Sequence, residues 1–496
     1  MRLGFYLPFA QTADIPASSV ALRAVTAMRR KLLEGVTDII PSYTNLYFEF
    51  DASLTTAEKV QAWANLYLNQ TNESLTRSIV EIPVQYNGAD LEFVSEKTGL
   101  TVAEIIRLHS SQTYHAFAVG FTPGFPFLGV LSAPLHLPRR ATPRASVSAH
   151  AVGIAMGQTG VYPSASPGGW HLLGTAGVAM YDPNRDPAFW VQAGDTVRFV
   201  PTDTVQAPRL EPRRLLPALP RYPVLQLEEA GLLTLLVDTG RRLVGHLGLA
   251  QSGALDARSA ARANAVVGNA TNTALLELTL TGGVWTALQD VVLGFAGYGM
   301  NPVINGVVIP AASSFAVRRG QTLRFKPNSS GVRGYLAVAG GFESDGVWGS
   351  ASSDHRGLLN GILQSGDLLG AANPRATRAD FTLSQPTLES TARVRLLAAP
   401  QATLEALATL QSSSYRLERG DRMGLQLLGK PVQGGDIASQ ATPLGAIQIS
   451  NAGQPIILLH DRGRIGGYSK PAIVYPNDLW RVAQVRTGGR IRFSKG

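Results

Sequence analysis

The sequence predicts an α+β protein that is mainly β, with helix and strand alternating only near its start. Three observations predict it. Apolar residues alternate between helical and strand spacing through residues 1–86. From about residue 115, Gly and Pro rise and short β-type runs take over. One pattern, Gly-x-x-aliphatic-Arg-Phe, recurs at 194–199 (GDTVRF), 320–325 (GQTLRF) and 488–493 (GGRIRF).

A strand is expected over 1–8, then a helix near 18–34 with Val25, Met28 and Leu32 on one side and Gly35 as the stop. Strands at 38–41 and 46–50 are joined by the polar turn 42–45. A capping box, Thr55 to Glu58, opens a second helix carrying Val60, Trp63, Leu66 and Tyr67, and a last strand runs near 79–86. The order β-α-β-β-α-β is that of a ferredoxin-like unit. Another capping box, Thr101 to Glu104, opens a short helix ending near Ser110.

In the β part, 303–309 (VINGVVI) reads as a hairpin, with Asn305-Gly306 suited to a type I′ turn. Two blocks repeat the same elements in order. Ala141-Thr142-Pro143 leads to Gly153, Gly157-Gln158, Gly168-Gly169-Trp170, Trp190 and Phe199. Ala441-Thr442-Pro443 leads to Gly445, Gly453-Gln454, Gly466-Gly467-Tyr468, Trp480 and Phe493. They predict two related β-modules, with a middle segment sharing only the closing strand. Short strands without helical crossovers favour closed barrels. Residues 207–223 (APRLEPRRLLPALPRYP) read as a stiff, extended connector. Helices are expected at 257–267, with Asp256 as N-cap and Gly268 as the stop, and at 401–410. The domain reading is 1–86, 87–205, a linker at 206–223, 224–385 and 386–496.

Composition narrows the function. The chain has 496 residues, 45% of them apolar, so it can bury a large core and is not globally disordered. It has no apolar run of membrane-spanning length and no cysteine, which excludes disulfides, thiolate metal sites and a cysteine nucleophile. The start, MRLGFYLPFA, makes a poor signal peptide, so a cytoplasmic location is expected. The net charge is +9, carried mostly by dispersed arginines, which suits small carboxylates or phosphates better than nucleic acid. The stretch 424–430 (GLQLLGK) mimics a P-loop, but Pro431 stands where Ser or Thr is needed.

Several residues stand out as site candidates. Arg139, Arg140 and Arg144, held extended by flanking prolines, form the best anion site, for phosphate or carboxylate. Phe121, Pro123, Phe125 and Phe127 lie in 120–128 (GFTPGFPFL), either a buried aromatic turn or a rigid pocket wall. Gln158 and Thr159 offer an amide and a hydroxyl to an amide-like substrate, with His171 nearby. Glu277 sits in the apolar run LLELTL and needs a partner or a cleft. Asp421, Arg422, Asp461, Arg464 and Lys470 fall in Gly-rich loops, where the alternative is a set of surface ion pairs.

These motifs carry a resemblance. Residues 120–129 (GFTPGFPFLG), 138–144 (PRRATPR) and 157–174 (GQTGVYPSASPGGWHLLG) resemble the B component of 5-oxoprolinase, the allophanate hydrolase subunit 1 or KipI family. Residues 252–256 (SGALD), 264–269 (NAVVGN), 276–279 (LELT), 421–424 (DRMG), 453–456 (GQPI) and 466–470 (GGYSK) resemble the C component, the allophanate hydrolase subunit 2 or KipA family. A fusion of the two is expected, joined at 207–223. The resemblance implies cyclophilin-like barrels in both halves and ATP-dependent opening of 5-oxo-L-proline to L-glutamate. It also implies ATP with Mg²⁺ as cofactor, no metal ligand being assigned, and a separate 5-oxoprolinase A component of the LamB/YcsF type as partner. In that frame Glu277, Asp421 and Asp461 are the acid/base candidates. Arg139, Arg140, Arg144, Gln158, Thr159, His171, Arg422, Gln454, Tyr468 and Lys470 are the substrate or anion contacts.

The chain departs from the family in two places. The C-component proteins usually carry Gly-Arg-Pro-Gly where this one has Gly240-Arg241-Arg242-Leu243. They usually carry Asp-Arg-Gln-Thr-Thr-Gly-Gly-Tyr-Pro-Lys where this one reads DRGRIGGYSK over 461–470. Two other readings stay open: a carboxyltransferase-like module related to urea carboxylase, and a Kip-type regulator of a histidine kinase. No membrane or nucleic-acid partner is expected, and a homodimer or higher oligomer stays open.

Overall fold

The computed structural model describes residues 1–70 and 79–496. Strands Arg2–Pro8, Asn45–Asp51 and Val36–Pro41 pair antiparallel in that spatial order. Alternation along the Asn45–Asp51 strand sorts its side chains between two faces. Leu46, Phe48 and Phe50 pack with Val25 and Met28 of the helix Ile15–Arg30 and with Val60 and Ala64 of the helix Ala57–Gln70. Tyr47 and Glu49 point the other way, toward the C-terminal half. The first helix begins earlier than expected, because Asp14 caps it and Pro16 fits its first turn. At the second helix the cap shifts by one: Thr56, not Thr55, accepts the Lys59 backbone N–H.

The ferredoxin-like expectation needs correction at its last strand. Ile79–Gln85 leaves the N-terminal sheet and pairs parallel with Thr196–Pro201 and antiparallel with His171–Ala176. Its Ile82 and Val84 bury in a separate core with Val197 and Phe199. There it becomes one of seven strands of a closed barrel, with Tyr114–Val119, Pro126–Gly129, Gln158–Val161 and Ala151–Ala155. The Thr101–Glu104 capping box forms as expected. A further helix, Leu91–Thr98, precedes it and ends on Gly99 at φ 72°.

The second barrel is built from Thr391–Ala398, Ala472–Val474, Ala446–Ile449, Pro455–Leu458, Gly424–Leu428, Ser414–Gly420 and Arg490–Lys495. Its cyclic strand order matches that of the first. In both, the opening strand pairs parallel with the closing Arg-Phe strand. The repeat in the sequence is therefore a repeat in topology.

The third Arg-Phe strand behaves differently. Thr322–Pro327 lies antiparallel between Val284–Ala287 and Met300–Ile304 in a six-stranded sheet. That sheet packs on a five-stranded one, and Trp285, Leu225 and Leu323 of the first meet Leu276, Phe295 and Leu336 of the second. The middle segment is thus a sandwich rather than a barrel. Its hairpin turn forms as expected, with Asn305 and Gly306 at φ 50° and 80°. The connector is extended but stitched down. Arg213–Arg214 pairs with Leu359–Asn360, and Leu215 and Leu216 bury in the sandwich core.

Candidate functional site at the junction of the two halves

The loop from His460 to Lys470 leaves the second barrel and touches a different neighbour at nearly every residue. Asp461 comes first. Its carboxylate takes the Arg422 Nε–H at 2.8 Å and a second bond from Nη2 at 3.3 Å. The other arm of Arg422 reaches Glu277 Oε1 at 2.5 Å. Glu277 is fully buried and also accepts from the Leu255 N–H at 2.9 Å and the Tyr335 hydroxyl at 2.7 Å, with Arg333 3.6 Å away. Burial pushes its carboxyl up, but Arg422 and Arg333 outweigh that and hold it below the ordinary range. Fully buried among these partners, Glu277 anchors Arg422. Asp421 stands apart and exposed, accepting the Met423 and Gly424 N–H groups of its own turn.

The next stretch reaches the N-terminal half. A Cβ on Gly463 would lie 2.6 Å from the Phe121 carbonyl oxygen, so only glycine lets the loops meet. Arg462 Nη2 pairs with Glu49 at 3.0 Å, and Arg464 Nη2 pairs with Asp38 at 2.9 Å and Glu49 at 3.2 Å, all buried. Gly463 and Arg464 are two of the positions that depart from the usual motif. Here they seat the loop against the other half. Ile465 then packs against Gly120 and joins an aromatic cluster of Tyr43, Phe117, Phe125, Phe127 and Trp170. Phe125 lies 4.9 Å from Phe127 and 5.4 Å from Trp170, and Pro123 is buried. These residues are therefore core, while Phe121 is half-buried with the Arg356 guanidinium 5.5 Å over its ring.

The last stretch meets Arg139. Its guanidinium lies against Gly467 and 3.6 Å from Asp436, and its side chain is 30% exposed. Lys470 follows, 1% exposed, with Nζ 3.1 Å from the Tyr468 carbonyl oxygen as its hydrogen-bond partner. Burial pushes the ammonium down to about 7. Arg139 from the N-terminal half thus meets, at Gly467, the loop of the C-terminal half that carries Tyr468 and Lys470.

The other expected contacts do not join them. Arg140 and Arg144 both bind Asp90, at 3.1 and 2.6 Å, so the anion they clamp belongs to the chain itself. Thr159 is fully buried: it donates to the Gly153 carbonyl at 3.1 Å and shares 2.8 Å with His109 Nε2, whose Nδ1 meets the Tyr86 hydroxyl. His171 Nε2 bonds the Pro138 carbonyl and its ring stacks on Phe93, which fixes the backbone leading into Arg139. Gln454 pins the turn at Gly429 through its amide. Gln158 keeps a buried, unpaired Oε1 at the start of a barrel strand. Sequence reasoning missed Asp38, Glu49, Asp90 and Tyr335, the partners that fix these roles. Glu49 in FEFD and Asp38 in TDII are carboxylates in otherwise apolar strands, the same signal that marked Glu277.

Comparison with known proteins matches this division. Residues 3–191 match the family model described as carboxyltransferase domain, subdomain C and D, and residues 247–495 match subdomain A and B. The chain belongs to this carboxyltransferase-domain family. Its N-terminal part is 38% identical over 197 residues to the 5-oxoprolinase subunit designated B from Escherichia coli O157:H7, covering 38% of this chain and 88% of that protein. Its C-terminal part is 32% identical over 275 residues to the subunit designated C from Haemophilus influenzae, covering 52% of this chain and 86% of that protein. Urea amidolyase of Saccharomyces cerevisiae is 28% identical over 285 residues, which is 51% of this chain and 16% of that protein. The crystal structure of TTHA0988 superposes over all of both chains with a TM-score of 0.96 at 45% identity. The chain therefore joins a half similar to the B component and a half similar to the C component in one polypeptide.

Proposed function

We propose that this chain is the B–C component of an ATP-dependent 5-oxoprolinase that works with a separate A component. The observation that carries the reading is the junction itself. Arg139 from the half similar to the B component lies on the Gly467–Lys470 loop of the half similar to the C component. A site that needs both halves explains why both occur in one chain.

The chain's own groups suit an anionic intermediate. Arg139 supplies a fixed positive charge at the rim. The Lys470 amine, near half-protonation at neutral pH, can give a proton to or take one from a group held beside it. When bound, ATP would phosphorylate the lactam oxygen and so turn an unreactive amide into one with a leaving group. Arg139, with its side chain 30% exposed, fits phosphate oxygens. Mg²⁺ held mainly by phosphates needs only one or two protein carboxylates, and Asp436 stands beside Arg139. Among the described residues no group of three or more His, Asp or Glu side chains is placed to hold a metal without such phosphates.

The test is 5-oxoproline-dependent ATP hydrolysis by the chain with a cognate A component. Turnover is expected to need the chain, the A component and 5-oxoproline together, and to fall at least tenfold in Arg139→Ala. No turnover in any combination would sink the reading. The similarity to urea amidolyase favours a second reading, a carboxyltransferase-type module, and a biotinylated protein co-purifying with the chain would support it.

A further inference from the structure

The two barrels share a topology, and one position in it is managed in opposite ways. In the first barrel Arg198 of the closing strand stands in register with Glu81 of the opening strand, and the two form an ion pair. In the second barrel the equivalent arginine, Arg492, stands in register with Arg393. Two positions earlier, Arg490 stands opposite Arg416 of the neighbouring strand Ser414–Gly420. Side chains alternate between core and surface along all three strands. Val394, Tyr415, Ile491 and Phe493 are therefore buried, and these four arginines are exposed.

Residues facing each other across strands lie about 5 Å apart, and every second residue along a strand about 7 Å, so the four guanidiniums share one face. Like charges set directly opposite destabilise a sheet. Arg393 has Glu389 at 3.5 Å, an exposed pair that offsets little of this. Among the described residues Arg416, Arg490 and Arg492 have no carboxylate at ion-pair distance. A position that carries its own carboxylate in one barrel and a second arginine in the other calls for carboxylates from outside. The face narrows what those belong to. A guanidinium fork matches a carboxylate with two hydrogen bonds. Single-stranded nucleic acid needs aromatic platforms for its bases, and Tyr415 and Phe493 point into the core. Stable attachment to a membrane takes apolar groups beside the cations, and the uncharged outward neighbours here are Thr391, Ser414 and Ser494. A second copy of this chain, at net charge +9, would be repelled.

We propose that this arginine face of the second barrel docks the acidic surface of a partner protein. Carboxylates of that partner stand against Arg416, Arg490 and Arg492 as Glu81 stands against Arg198. The surface uses no residue of the Arg139 junction, so it holds or fails apart from ATP-dependent ring opening.

Surface plasmon resonance of the full chain at low ionic strength, where such contacts are least screened, tests it with three immobilised probes. They are a deca-glutamate peptide, an oligothymidylate of the same length and phosphatidylserine vesicles. The peptide is expected to bind more tightly than the other two. Arg492→Glu and Arg416→Glu should each weaken it about tenfold. Arg319→Glu, an equal change of net charge at an exposed position of the sandwich, should leave it unchanged. Arg492→Glu should also melt no lower than the parent chain, because it sets a carboxylate opposite Arg393 as in the first barrel. No peptide binding, an equal loss in Arg319→Glu, tighter binding of the oligonucleotide or the vesicles, or a lower melting temperature in Arg492→Glu would overturn the proposal.

Discussion

Lys470 is the residue on which the junction's pH behaviour turns. Its ammonium is buried with no carboxylate paired to it among the described residues, and its pKa falls from the ordinary 10.5 to about 7. Between those values the unfolded chain binds a proton that the folded chain does not, so this group makes stability rise with pH. Below pH 7 the folded chain carries the buried charge and its full penalty. Lys470→Met removes that penalty. It should raise Tm most at pH 6–7, with the gain shrinking toward pH 10. Thermal melts across pH 6–10 check this, and a difference that stays flat with pH would mean the amine is not titrating as described. Glu277 shows the opposite management of a buried charge. It is surrounded by Arg422, Arg333, Tyr335 and a backbone N–H, so its role is to hold Arg422, which in turn holds Asp461. Its isolation in LLELTL was legible in the sequence as a carboxylate needing a partner. The partner was not, because Arg422 lies 145 positions away and no local pattern encodes that pairing.

Elements whose signal is local were legible: the Thr101–Glu104 capping box, the Asp256 cap and the Asn305-Gly306 turn. What the local pattern left open is which sheet a strand joins. Ile79–Gln85 has the alternation of any half-buried strand, and only its fit beside Thr196–Pro201 takes it into the barrel. The same holds for Thr322–Pro327, whose Arg-Phe motif specifies a strand but not a barrel. Loop contacts were harder still. Gly463 looked like a lost glutamine, yet its missing side chain is what admits the Phe121 carbonyl. Gly463→Ala would set a Cβ 2.6 Å from that backbone oxygen, so the loops must part. The strain should lower stability by about 1–3 kcal/mol, measured by urea unfolding. On the proposed function it should also reduce turnover, since the same loop meets Arg139 at Gly467. An alanine variant with wild-type stability would show that the loops are not pressed together as described.

The whole molecule is an N-terminal sheet with two helices, two related barrels and a sandwich, locked by contacts far apart in sequence. Arg462 and Arg464 reach Glu49 and Asp38, the Tyr6 hydroxyl donates to the Ala441 carbonyl at 2.6 Å, and the Tyr181 hydroxyl donates to the Gly357 carbonyl at 2.6 Å. The barrel repeat was legible in the sequence; the lock was not, because Arg464 reads alone as a surface charge. If the lock rather than the connector holds the halves, a chain cut between Glu211 and Pro212 should stay together. That cut falls at exposed residues and leaves Arg213–Leu216 with the sandwich they pack into. Co-expressed fragments should elute as one 1:1 complex in size-exclusion chromatography. Arg464→Ala would leave Asp38 buried without its closest cation and Glu49 with Arg462 alone. Removing one partner of a buried pair costs about 3–5 kcal/mol, so the cut complex should loosen by roughly a hundredfold or more, while the uncut chain stays folded. Fragments that fold separately yet never associate would show that the connector, not the buried arginines, keeps Arg139 against Gly467.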